Sequence, residues 1–161
     1  MGTSLRMRRV GPDELTKGIE HLESRFSDTL EDETYLQEFE AGVLCNLGED
    51  WQMVNVLLTG EDFPATGSKC LPVLGGEHVA TLGSPFDVLL ILPPALVRAA
   101  SEYLHEVDVD TLVEQNSGRL RVVGGTPDWM VSQLVSHIAA LKKFYLAAST
   151  AGDAVSKRMY G

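Results

Sequence analysis

The sequence predicts an α+β fold: several helices packed on a small mixed or antiparallel sheet that includes the N- and C-terminal strands, in a single domain over 1–161. Three observations carry that reading. Residues 4–10 alternate in hydropathy at one end of the chain, and Ala154 to Tyr160 read as a closing strand at the other. Between them, apolar residues recur at helical spacing in several stretches, the longest over about 127–150. The length of 161 residues suits one domain. A chain of that size buries roughly two-thirds of its unfolded surface and needs no disulfide or metal to hold a core.

The elements follow in order. Leu5 and Met7 point to one face of the first strand, Arg6 and Arg8 to the other. Gly11-Pro12-Asp13-Glu14 starts a helix, with proline at a permitted position and acids at the positive end of the dipole. Leu15, Ile19, Leu22 and Phe26 carry it on as one stripe. Thr29 or Asp32 caps a second helix with Leu36, Phe39 and Val43 inward, and Asn46-Leu47-Gly48 breaks it. A third helix runs from about Asp50 to Leu58, with Trp51, Val54 and Leu58 on one face and Gly60 at its left-handed stop. Residues 61–69 read as a polar loop, and Leu71–Leu74 as a short apolar run stopped by Gly75-Gly76.

Asp87 to Leu92 is the strongest strand-like run; its lack of alternation implies burial on both sides or a lead-in to the next helix. Pro93-Pro94 opens that helix, striped by Leu96, Val97, Ala100, Leu104 and Val107. Asp108 or Asp110 caps a short helical turn through Glu114. Residues 119–123 are compatible with a strand, and Gly124 to Pro127 with a loop that caps the longest helix at Thr126. Its stripe is Met130, Leu134, Ile138, Leu141, Tyr145 and Ala148, and Gly152 ends it.

Composition narrows the function. Hydrophobic content of 44% and charged content of 22% are those of an ordinary globular protein, and no apolar run nears the ~20 residues that cross a membrane. The start has basic residues but no apolar segment after them, so no signal peptide is expected and a cytoplasmic location is the default. Cys45 and Cys70 form no CxxC and read as small hydrophobes. The net charge of −10 argues against nucleic acid and anionic lipid as partners, which need clustered cations. That charge is uneven. Between Phe26 and Ser68 there is no Lys or Arg but there are ten acids, among them Glu31, Asp32, Glu33, Glu38 and Glu40. Arg6, Arg8 and Arg9, and Lys157 and Arg158, make the two ends basic.

Motifs for chemistry are weak. Gly60 to Lys69 has the wrong spacing for a phosphate-binding loop, and Glu61 and Asp62 would repel phosphate. Gly75-Gly76 and Gly124-Gly125 are not dinucleotide fingerprints, and there is no GxSxG. The four histidines, His21, His78, His105 and His137, contain no HxxxH pair, so no metal or cofactor is expected. His78 alone has polar company, with Glu77 beside it and Cys70 eight residues back, but a reactive thiolate wants more cations than this stretch holds. No catalytic residue is assigned, and whether the protein is an enzyme stays open.

Several landmarks occur together: Pro12-Asp13-Glu14-Leu15, then Trp51-Gln-Met-Val-Asn-Val-Leu-Leu-Thr-Gly60, Pro72-Val-Leu-Gly-Gly-Glu77, Phe144-Tyr145 and Ala151-Gly-Asp-Ala-Val155. In that order they resemble the YfbM-like family of small bacterial proteins, a domain of unknown function, over nearly the whole chain. The resemblance implies helices on a small sheet and brings no activity. The family pattern has His where this chain has Asn55, and Val122-Val123-Gly124-Gly125 departs from the family's segment before the last helix.

Two functional expectations result. In the first, a non-enzymatic interaction module of inhibitor or immunity type docks a basic protein on an acidic face that includes Glu31, Asp32, Glu33, Glu38 and Glu40. In the second, a small-molecule binder or enzyme uses a cleft where the glycine exits converge, walled by Trp51, Asn55, Thr59, Gly60, Gly75, Gly76, Glu77 and His78. Oligomeric state is not legible.

Overall fold

A computed structural model describes residues 2–26, 33–60, 67–116, 118 and 128–161. The described chain runs β1 (Ser4–Val10), α1 (Pro12–Leu15), α2 (Ile19–Ser24), α3 (Glu33–Glu40), β2 (Leu44–Gly48) and α4 (Trp51–Thr59). It continues through β3 (Glu77–Thr81), β4 (Val88–Leu92), α5 (Pro94–Glu106), α6 (Val109–Gln115), α7 (Asp128–Ala151) and β5 (Ala154–Tyr160). The five strands form one sheet in the order β2-β1-β5-β4-β3, every pair antiparallel. The first and last strands therefore lie side by side at its centre, from Ser4 opposite Tyr160 to Val10 opposite Ala154.

Both faces are covered. Leu5, Met7, Cys45, Leu47, Leu92 and Val155 face α4, α5 and α7, whose Val54, Leu57, Val97, Leu104, Leu134, Ile138, Leu141 and Tyr145 complete the main core. On the other face, Val10, Leu89 and Ala154 meet Leu22 and Phe26 in a smaller core beside Leu15. Burial on both sides explains why β4 reads as an unbroken apolar run. The stripe predicted for α7 is the buried one, with Leu134, Ile138, Leu141, Tyr145 and Ala148 all inside. Asp108 caps α6 by accepting from the Asp110 and Thr111 amides. Gly60, at φ +75°, ends α4 in the left-handed conformation expected of it.

Several expectations are corrected. The helix from Pro12 to Phe26 is two short helices, because Gly18 adopts φ +91° between them. Asn46-Leu47-Gly48 is no helix breaker; it belongs to β2, whose Cys45 and Leu47 point into the core. Val43 precedes that strand, and Leu36 and Phe39 of α3 are exposed rather than inward. Leu71–Leu74 forms turns, and the chain enters the sheet only at Glu77. Thr29, Asp32, residues 61–66, the candidate strand at 119–123 and the Thr126-Pro127 cap lie outside the described residues.

Candidate functional site

The central strands carry an unusual load of cations. Alternation places Arg6, Arg8, Arg158 and Tyr160 on the α1–α3 side, and Lys157 on the main-core side between Val155 and Met159. Arg8, 2% exposed, pairs with Glu38 of α3, and its Nε donates to the Arg25 carbonyl at 3.3 Å. Arg25 also reaches Glu38 at 3.5 Å. Arg158 meets Asp87 through two bonds, at 3.1 and 3.0 Å. The hydrogen bond to the Asp87 carboxylate raises the pKa of this guanidinium, so it stays charged.

Among the described residues, Lys157 has no such partner. Its Nζ is fully buried and donates to the carbonyls of Leu71, Pro72 and Val73 at 2.6, 3.3 and 3.1 Å. It lies 6.0 Å from the Tyr145 ring centroid, and the Tyr145 hydroxyl donates to the same Pro72 carbonyl at 2.7 Å. Burial pushes the ammonium down to about 7, with the nearby Cys70 opposing. The same burial raises the Tyr145 phenol and takes the Cys45 thiol up to about 12, so neither is a nucleophile at neutral pH. The turn that wraps Lys157 closes on Gly75, where an added Cβ would sit 2.4 Å from the Leu71 Cα; only glycine fits. Outside this turn runs a shallow groove of about 480 Å³, lined in part by Cys70, Leu71, Leu74, Gly75, Gly76 and Leu96.

The expected cleft residues divide among three places. Trp51, at the start of α4, donates its indole N–H to the Thr3 carbonyl at 2.9 Å and so fastens that helix to β1. Asn55 is buried in α4, where its Oδ1 has no hydrogen-bond partner among the described residues. The Thr59 hydroxyl donates back to the Asn55 carbonyl at 2.8 Å, which is a helix-end role beside Gly60. Gly75 and Gly76 line the groove by the Lys157 turn. Glu77 and His78 are exposed on edge strand β3, and His78 contacts the Thr81 hydroxyl at 3.1 Å. Trp51 anchors next to β1, while β3 is three strands away, roughly 14 Å across the sheet. The structure therefore does not bring Trp51 together with Glu77 and His78. Among the described residues, no group of three or more His, Cys, Asp and Glu side chains is placed to hold a metal ion. No described helix is long and apolar enough to cross a membrane.

Of the expected docking acids, Glu40 is exposed, while Glu38 turns inward to Arg8 and Arg25. The placement of Glu31 and Asp32, and of the Glu33 side chain, lies outside the described residues. Sequence reasoning counted Arg8 and Lys157 only as parts of basic ends and did not find that both are buried. The signal was present: Lys157 stands in phase with Val155 and Met159, on the face a strand buries.

The comparisons with known proteins fit this architecture. The crystal structure of a protein of unknown function, YfbM from Escherichia coli, matches with a TM-score of 0.61. The match covers 97% of this chain and 99% of that one at 14% identity, which is a likeness of fold. No curated protein matches the chain. The family described as a domain of unknown function, DUF1877, matches residues 1–156, and the chain belongs to that family.

Proposed function

We propose that the protein is a non-enzymatic interaction module that docks a basic partner protein through α3. The observation that carries this reading is the exposure of Leu36 and Phe39, 54% and 45%, three residues apart on one short helix. That helix is held from beneath, because its Glu38 binds both Arg8 and Arg25. Two large apolar side chains on a fixed ridge, rimmed by acids such as Glu40, have the anatomy of an interface: an apolar centre and a polar edge. The absence of Lys and Arg between Phe26 and Ser68 sets the sign of the partner's surface. Attraction of that kind speeds encounter and weakens with salt. An inhibitor or immunity-type role is the form of module this surface suits.

The test is capture of partners by immobilised protein, in parallel with the Leu36→Ser/Phe39→Ser double variant. The expected partner is basic, is held at low salt, is released as salt rises, and is lost on the double variant. A partner that binds both proteins equally, or that ignores salt, overturns the proposal.

A further inference from the structure

One cation on the α1–α3 side differs from its neighbours. Arg8 meets Glu38, Arg25 meets Glu14 and Glu38, and Arg158 meets Asp87. Arg6 lies opposite Arg158 in the strand register, yet among the described residues no carboxylate pairs with it. Its Nε is sealed from solvent and, among the described residues, has no acceptor. The guanidinium sits over the Tyr160 ring, 5.1 Å from the centroid, and Arg158 flanks the same ring at 5.9 Å. A recess of about 290 Å³ opens here, lined by Arg6, Phe26, Asp87, Arg158, Tyr160 and Gly161.

We propose that this recess binds a small organic monocarboxylate, with its carboxylate on Arg6 and its apolar body against Phe26 and Tyr160. Three features select that class. A guanidinium fork matches a carboxylate through two parallel bonds. Charge favours a monoanion: Asp87 and Glu23 both act on Arg158, no carboxylate among the described residues pairs with Arg6, and a phosphate dianion would add repulsion from Asp87. The aromatic walls favour an organic body over a bare ion. This site is separate from the α3 docking ridge, and neither proposal depends on the other.

Benzoate is the probe, titrated at constant ionic strength while the Arg6 Nε–H resonance is followed by NMR, with benzamide and inorganic phosphate in parallel. The expected result is a saturable shift with benzoate, and binding weaker by roughly tenfold or more for benzamide, which lacks the charge, and for phosphate. Arg6→Gln removes the benzoate response read on neighbouring amides, and Arg6→Lys keeps only a weak one. If Arg6→Gln does not fold, the three-ligand comparison on the intact protein still decides. Benzamide binding as well as benzoate, phosphate binding more tightly, an unchanged affinity in folded Arg6→Gln, or no saturable shift with benzoate each overturns the proposal.

Discussion

On the α4–α7 side of the sheet, a single cation, Lys157, sits among apolar side chains and is served by three backbone carbonyls. On the α1–α3 side, Arg8 and Arg158 each meet a carboxylate. Carbonyl dipoles solvate an ammonium but do not cancel its charge, so burial loosens the Lys157 proton. A carboxylate cancels the charge and tightens the Arg158 proton instead. The difference also decides what each cation holds in place. Lys157 fastens the turn at Leu71–Val73, whereas Arg8 fastens the docking helix and Arg158 fastens the residue that leads into β4.

The largest way to break this contrast is Lys157→Ala. It empties a packed site and takes the Lys157 donor from the Leu71 and Val73 carbonyls, while Pro72 keeps the Tyr145 hydroxyl, at an expected cost of about 3–5 kcal/mol in urea unfolding. Lys157→Met refills the volume and should recover only the packing part; full recovery would mean the carbonyl bonds contribute nothing. The pH dependence sharpens the same point. The folded-state pKa of about 7 lies below the ordinary 10.5, so between those values the unfolded chain binds more protons and stability rises with pH. Above the ordinary thiol value of 9.0, the buried neutral Cys45 works the other way, because the unfolded thiol ionises while the folded one does not. Stability should therefore climb from about pH 7 toward 9 and then turn over. The climb should vanish in Lys157→Met, and a climb that persists there belongs to another group.

On the opposite side, Glu38→Gln removes the Glu38 charge from the Arg8 guanidinium. The expected loss is about 2 kcal/mol, since Glu38 itself is partly solvated. Asp87→Asn, at a more open pair, should cost less, and thermal unfolding of the two variants ranks them. Smallest on stability is the Leu36→Ser/Phe39→Ser double variant, which should change unfolding by no more than about 0.5 kcal/mol per exposed site while abolishing partner capture. A large loss of stability would mean that these side chains are part of the core.

Much of the fold was legible because the pattern repeats often enough to read. α7 shows its stripe over about five turns, β1 and β5 stand against clear turn signals, and β4 is an unbroken apolar run. β2 was missed because five residues give only two inward positions, Cys45 and Leu47, and its Asn-Leu-Gly end resembles a helix stop. β3 was missed because an edge strand with exposed Glu77 and His78 has no burial pattern to announce it. The site was far less legible. Arg6 meets Tyr160, Arg158 meets Asp87, and Lys157 meets Leu71 only through strand register and chain reversal, and neither leaves a local mark in the sequence. The carboxylate that closes on Arg8 illustrates the difficulty: Glu38 is one of ten acids in its span, and nothing local sets it apart.

The central pairing of β1 with β5 has a consequence for how the protein is made. Val10 finds its partner in Ala154, so a growing chain cannot join β1 to β4 until β5 and everything between has left the ribosome. Until then β1 can pair only with β2, and the apolar faces of α4 and α5 wait for a sheet centre that does not yet exist. Closure of the sheet is deferred until β5 is made, and the nascent chain spends that interval with its unpaired strands exposed to whatever holds it.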